Sequence, residues 1–132
     1  MSLKPEEIDH INLVNWFHHN FPELADDFHH FANERFLDVK NNPEQWNTGR
    51  KLQRMGVKKN VSDFFLAFPQ NGFAGLWIEL KVGKNKPTQG QIDFSDRKTR
   101  RGYQCAIVWG FEAAKEVLNT YLKDYINQKS FS

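Results

Sequence analysis

One cysteine, Cys105, in 132 residues excludes an intramolecular disulfide framework. No Cys or His set with zinc-ligand spacing is present, which argues against a structural zinc module. No stretch approaches the roughly 18 apolar residues that a membrane span needs. The opening MSLKPEEIDH is charged and no apolar run follows it, so no targeting segment is read there and a soluble, cytoplasmic protein is expected. Internal repeats and low-complexity tracts are absent, and nothing marks a second domain. Residues 1–132 therefore read as one compact domain, long enough to bury a core without disulfide or metal staples.

That core is supplied largely by aromatics, with twelve Phe and four Trp. The net charge is only +2, but it is unevenly spread. Residues 1–48 carry three basic and nine acidic side chains, and residues 49–132 carry fifteen and seven. A basic half suits a polyanionic partner such as nucleic acid, and an ordinary solvated surface is the plainer alternative.

Residues 5–20 predict a helix, with Pro5 at a first helical position and Glu6, Glu7 and Asp9 near its positive end. Its apolar ridge is expected along Ile8, Ile11, Val14 or Asn15, and His18, broadened by Leu13, Trp16 and Phe17. Residues 27–32 could form a short strand; residues 33–48 read as polar and irregular, with a loop at 41–43; a short helix is expected over 49–55. Residues 63–68 and 76–82 read as a hairpin joined by a turn at Gln70-Asn71-Gly72. Thr88 and Gln91 have the spacing of a capping box opening a helix to about Arg101, closed by Gly102. The continuous apolar run CAIVW (105–109) reads as a central strand, and residues 111–127 as one long amphipathic helix. A strand–helix–strand passage over 76–109 implies a parallel pair. The fold class is α/β: a small mixed sheet flanked by helices.

Two charges interrupt the apolar strand GLWIELK. Residues two apart share a strand face, so Glu79 and Lys81 point together while Ile78, Leu80 and Val82 point away. Asp63 opens the neighbouring strand, and its carboxylate can approach that of Glu79 if the register aligns the strand ends. Paired carboxylates attract a hard divalent cation, Mg²⁺ or Mn²⁺, and the Leu80 carbonyl could add a further oxygen ligand. Lys81 could orient or deprotonate a water, or stabilise charge developing at phosphorus. The plainer alternative is a surface salt bridge between Glu79 and Lys81 on a half-exposed strand.

The runs N-V-S-D (60–63), G-L-W-I-E-L-K (75–81), T-Q-G-Q (88–91) and G-Y (102–103) resemble the signature of the virus-type replication-repair nuclease domain, VRR-NUC, of the PD-(D/E)XK superfamily. The resemblance spans roughly residues 6–122 and is strongest over 56–91. HHFANE (29–34) resembles the family strand ending in Pro-Asn, with Ala32 where Pro is usual. The resemblance implies a restriction-endonuclease-like core and a metal-dependent DNA nuclease, with similarity to the dimeric Holliday-junction resolvases among stand-alone phage and bacterial members. It implies Asp63 and Glu79 as metal ligands, Lys81 as the catalytic lysine, Gln91 as an active-site helper and a first-helix acid at Glu6, with Glu7 second. Two positions depart from the pattern: Asn60 stands where Gly is usual, and Ser62 where Pro is usual. A homodimer is expected if the substrate is a branched junction, because cutting both strands requires two symmetric sites. A non-cleaving DNA-binding module on the same fold and an α/β interaction domain are the competing classes.

Basic residues flank this site on both sides. Arg50, Lys51 and Lys58 precede Asp63, and Lys84 and Lys86 follow Lys81; all five are candidate phosphate contacts. The cations at 97–101 are explained in part by the helix dipole. His18-His19 and His29-His30 read as structural or surface residues, since neighbouring side chains diverge on a helix and oppose on a strand. Trp16 reads as core, Trp77 as a possible site-lining residue, Phe73 as a stacking candidate, and Trp46 as an exposed aromatic in a loop.

Overall fold

The computed structural model describes residues 2–31 and 44–130, with only the backbone described for 44–46. The Ala32–Glu34 part of HHFANE, the loop at 41–43 and the last two residues lie outside the described residues. Helix α1 (Pro5–Asn20) is followed by a short 3₁₀ helix (Pro22–Asp27), then β1 (Phe28–His30) and α2 (Glu44–Arg54). Next come β2 (Phe64–Leu66), β3 (Leu76–Lys81), α3 (Gln89–Arg100), β4 (Gln104–Trp109), α4 (Phe111–Tyr121) and α5 (Lys123–Ser130). The four strands form one sheet in the order β1-β2-β3-β4. β1–β2 and β2–β3 are antiparallel, while β3–β4 is parallel and bridged by α3.

The strand alternation sorts the two faces. Phe64, Leu66, Ile78 and Leu80 point into a buried cluster with Leu13 and Phe17 of α1 and with Ala114, Leu118 and Tyr121 of α4. Each of these large side chains contributes about 1.5–3 kcal/mol on burial. The opposite face carries Trp77, whose ring packs edge-on against Phe94 of α3 and stacks on Phe65. Helices thus cover both faces of β3, and all six of its residues are buried.

Four expectations need correction. CAIVW is an edge strand, not a central one. Its continuous apolar character comes from α3 and α4 packing on its two faces, which does not require a strand on both sides. The ridge of α1 is rotated: His10, Leu13 and Phe17 are buried, while Ile8 and Ile11 stay more than 40% exposed (43% and 45%). Residues 111–127 form two helices that break at Leu122, where the hairpin-turn residue Asn71 donates its side-chain amide to the Tyr121 carbonyl at 3.0 Å. Finally, α2 begins at Glu44, so Trp46 lies on a helix rather than in a loop.

Other features follow the local chemistry. The capping box at Thr88 and Gln91 is formed reciprocally, each side chain accepting from the other's backbone N–H at 3.1 and 3.0 Å. α3 closes through Gly102, which takes φ +95°. Trp16 packs on the core beside Phe17 and Phe21, and Phe73 is partly buried against the same cluster.

Candidate functional site

The site forms where β2 and β3 separate. Phe64 pairs with Ile78, so extending that register by one residue sets Asp63 opposite Glu79. The Asp63 carboxylate accepts the Leu80 N–H at 2.8 Å. The Lys81 ammonium lies 3.5 Å from Glu79 Oε2. Asp63 is 0% exposed, Glu79 1% and Lys81 7%. A surface salt bridge on a half-exposed strand is therefore excluded: this ion pair is inside the molecule.

Backbone direction defines the Leu80 carbonyl. Neighbouring residues of a strand send their polar groups to opposite sides. The Lys81 carbonyl accepts from Gly110 on the β4 side, and the Leu80 N–H points to Asp63 on the β2 side. The Leu80 carbonyl accordingly shares the side of the Asp63 carboxylate.

The turn that delivers Asp63 uses its unusual residue well. Asn60 adopts φ +64°, a left-handed conformation that Asn tolerates better than most side chains. Its side chain lies against the start of α3, where a Cβ at Gly90 would come within 2.4 Å of it. Gly90 thereby allows the Asn60 side chain to sit at the N-terminus of α3. Ser62 is buried beside Asp63.

His10 is the residue that sequence reasoning missed. It is 3% exposed, its Nε2 lies 3.6 Å from Asp63 Oδ2, and its Nδ1 lies 3.1 Å from His30 Nε2. Its ring packs edge-on against Phe64, while His30 stacks on the same phenyl ring. A His30–His10–Asp63 chain thus approaches the site from α1 and β1. A cavity of about 580 Å³ opens beside it, lined in part by Lys4, Glu7, His10 and His30. Of the two candidate first-helix acids, Glu7 lines this cavity; Glu6 is half-buried one helical turn before His10.

The remaining candidates surround this centre. Gln91 is half-buried with its side-chain carbonyl engaged in the cap, leaving its NH₂ as the group able to reach a ligand. Arg50, Lys51 and Lys58 are exposed on α2 and the turn after it. Lys84 and Lys86 are exposed in the loop after β3, which is tied down by the Trp109 indole donating to the Asn85 carbonyl at 2.7 Å. Trp77 lies on the Glu79 face but is enclosed by Phe31, Phe65, Phe94 and Tyr103.

The donor set is two carboxylates and a carbonyl, all oxygen, which fits a hard cation such as Mg²⁺ or Mn²⁺ and not zinc. Among the described residues no group of three or more His, Cys, Asp and Glu is placed to hold an ion. Asp63, Glu79 and the Leu80 carbonyl would be the groups to hold such an ion, with water and substrate oxygens as its other ligands.

Comparison with solved structures finds a VRR_NUC domain protein at TM-score 0.74 and 22% sequence identity, covering 93% of this chain and 92% of that one. The chain has the fold of that VRR_NUC domain protein, a mixed sheet flanked by helices of the restriction-endonuclease-like class. No protein-family model matches the sequence, and no curated protein matches it. Among the described residues no helix is long and apolar enough to cross a membrane.

Proposed function

We propose that this chain is a metal-dependent DNA nuclease that hydrolyses phosphodiester bonds in branched or structured duplex. The observation that carries the reading is the buried meeting of Asp63, Glu79 and Lys81 at the parting of β2 and β3. Two carboxylates and an ammonium are costly to bury, and an ordinary core would not gather them. The shared fold with a VRR_NUC domain protein supports the same reading.

Asp63 and Glu79, with the Leu80 carbonyl, would hold Mg²⁺ or Mn²⁺. When bound, such an ion supplies a Lewis acid for a phosphoryl oxygen and lowers the pKa of a coordinated water. The Leu80 N–H donates to the Asp63 carboxylate, and the His10 ring nitrogen lies 3.6 Å from it. Lys81 holds positive charge beside Glu79, where it can stabilise charge developing on the phosphoryl group. Gln91 offers a donor at the start of α3. The exposed cations at Arg50, Lys51, Lys58, Lys84 and Lys86 would take flanking phosphates, recognising backbone and shape rather than base edges.

The test incubates the protein with labelled four-way junction, 5′ flap and linear duplex, each with Mg²⁺, Mn²⁺ or EDTA. Metal-dependent cutting is expected, with paired symmetric nicks in the junction if a homodimer acts on it. Tight binding with no cutting under any metal would move the assignment to a non-catalytic DNA-binding module.

A further inference from the structure

The end of α3 gathers cations in a way that its own helix does not require. Arg97, Lys98 and Arg101, with Tyr103, line a cavity of about 450 Å³ that contains no carboxylate. None of the three cations pairs with an acid among the described residues. Asp93, one turn before Arg97, accepts from Gln89 at 2.9 Å.

Cations at a helix C-terminus are often explained by the macrodipole and its unpaired carbonyls. Here the carbonyls of Arg97, Lys98 and Thr99 already accept from the backbone N–H groups of Arg101, Gly102 and Tyr103. The side chains are therefore not consumed in capping. Instead the Lys98 ammonium is held over the rings of Trp77, Phe94 and Tyr103 at 5.4, 5.4 and 6.0 Å, and the Arg97 guanidinium lies 5.7 Å from Phe94. Aromatic packing fixes two of the cations in place, which reduces the ordering cost of binding an anion.

The position matters as much as the charge. Lys98 sits over Trp77, which shares a face of β3 with Glu79 and Lys81. Trp77 and Glu79 are two residues apart, about 7 Å along the strand. α3 covers that face, with Gln91 at its start beside the candidate site and this cavity at its other end, so a nucleic-acid strand running along the outer side of α3 would reach both.

We infer that Arg97, Lys98 and Arg101 form a second phosphodiester-binding site, which holds the DNA backbone one helix length from the scissile phosphate. The inference rests on the nuclease reading above and adds to it the path of the substrate. Arg97 and Arg101 are exposed, so Arg97→Gln/Arg101→Gln tests the site without touching the core. Lys123→Gln, an exposed cation at the start of α5 beyond the other face of the sheet, is the control.

Binding of labelled four-way junction and duplex is measured in EDTA over a range of salt concentrations, and single-turnover cleavage is measured in Mn²⁺ over a range of DNA concentrations. The double variant is expected to lower the slope of log affinity against log salt by about 1.8, at roughly 0.9 per lost phosphate contact. The DNA concentration that it needs for half-maximal cleavage should rise, and Lys123→Gln should leave both the slope and the cleavage unchanged. A wild-type slope in the double variant, with wild-type DNA binding intact, overturns this inference alone. Absence of DNA binding by the wild type overturns it together with the nuclease reading. A mononucleotide probe, dAMP, separates the sources of phosphate: dAMP binding lost in the double variant with an unchanged DNA slope assigns the cavity to a free nucleotide and overturns the backbone role.

Discussion

Lys81→Met should cost this protein much of its stability as well as any activity. The Lys81 ammonium lies 3.5 Å from Glu79 Oε2, and the two residues are 7% and 1% exposed. At that separation and an effective dielectric constant of about 20, the attraction is about 5 kcal/mol, offset by the cost of burying both charges. Removing only the cation takes away the ion pair of a carboxylate that is 1% exposed, and breaking a buried pair in this way costs about 3–5 kcal/mol. A domain of this size has about 5–15 kcal/mol in all, so the midpoint of urea unfolding should fall far. Glu79→Gln/Lys81→Met removes both charges and should recover most of the loss. The assay is urea unfolding, followed by circular dichroism, of the wild type, both single variants and the double variant. The expected coupling energy is at least about 2–3 kcal/mol. Coupling below about 0.5 kcal/mol, the value of an exposed pair, would refute the claim that these charges meet inside the fold. A practical consequence follows: loss of cleavage in Lys81→Ala is informative only beside evidence that the variant is folded.

Three further outcomes are expected. His10→Phe keeps the ring against Phe64 but removes the nitrogen beside Asp63; the single-turnover rate should fall about 10- to 100-fold, as for lost supports of metal ligands, with DNA affinity unchanged. Mn²⁺ at about 100 times its dissociation constant should stabilise the wild type by about 2.7 kcal/mol in urea, and Asp63→Asn should abolish that gain. Lys129 and Tyr125 hold the Glu23 carboxyl down at about 2, below its ordinary 4.5, and desolvation, with the Glu23 contact, pushes the Tyr125 hydroxyl up to about 12. A depressed carboxylate pKa stabilises the folded state above pH 4.5 and loses that contribution as pH falls toward 2; amide exchange in α5 should rise over that window, and Lys129→Met should flatten the change.

Much of the fold was legible because its signals are local. Pro5 with Glu6 and Glu7, the Thr88–Gln91 capping box and the Gly102 stop each specify a boundary from a few neighbouring residues, and α1 and α3 fall where they predict. The parallel β3–β4 pair was legible from a strand–helix–strand spacing. What escaped depends on contacts between distant segments. The break at Leu122 has no Gly or Pro to announce it; Asn71, fifty residues away, reaches the Tyr121 carbonyl. The edge position of β4 was hidden because helices on both faces make a strand apolar whether or not it has a strand on each side.

The candidate site divides in the same way. Asp63, Glu79 and Lys81 were legible because strand alternation and a hairpin register suffice to bring them together. His10 was not, because the apolar spacing of Ile8 and Ile11 drew attention to the wrong side of α1. One signal could have found it: His10, Leu13 and Phe17 share a three- and four-residue spacing, and a polar residue on such a buried ridge is a candidate partner for a buried charge.

The most direct test is single-turnover cleavage of a labelled four-way junction by wild type and Glu79→Gln, with DNA binding and circular dichroism recorded on the same samples. The account predicts cutting by the wild type in Mn²⁺ or Mg²⁺ that stops in EDTA, and a folded, DNA-binding Glu79→Gln variant at least about a hundredfold slower, the low end of the range for one lost transition-state contact. Undiminished cutting by that variant, or cutting by the wild type that persists in EDTA, would contradict it.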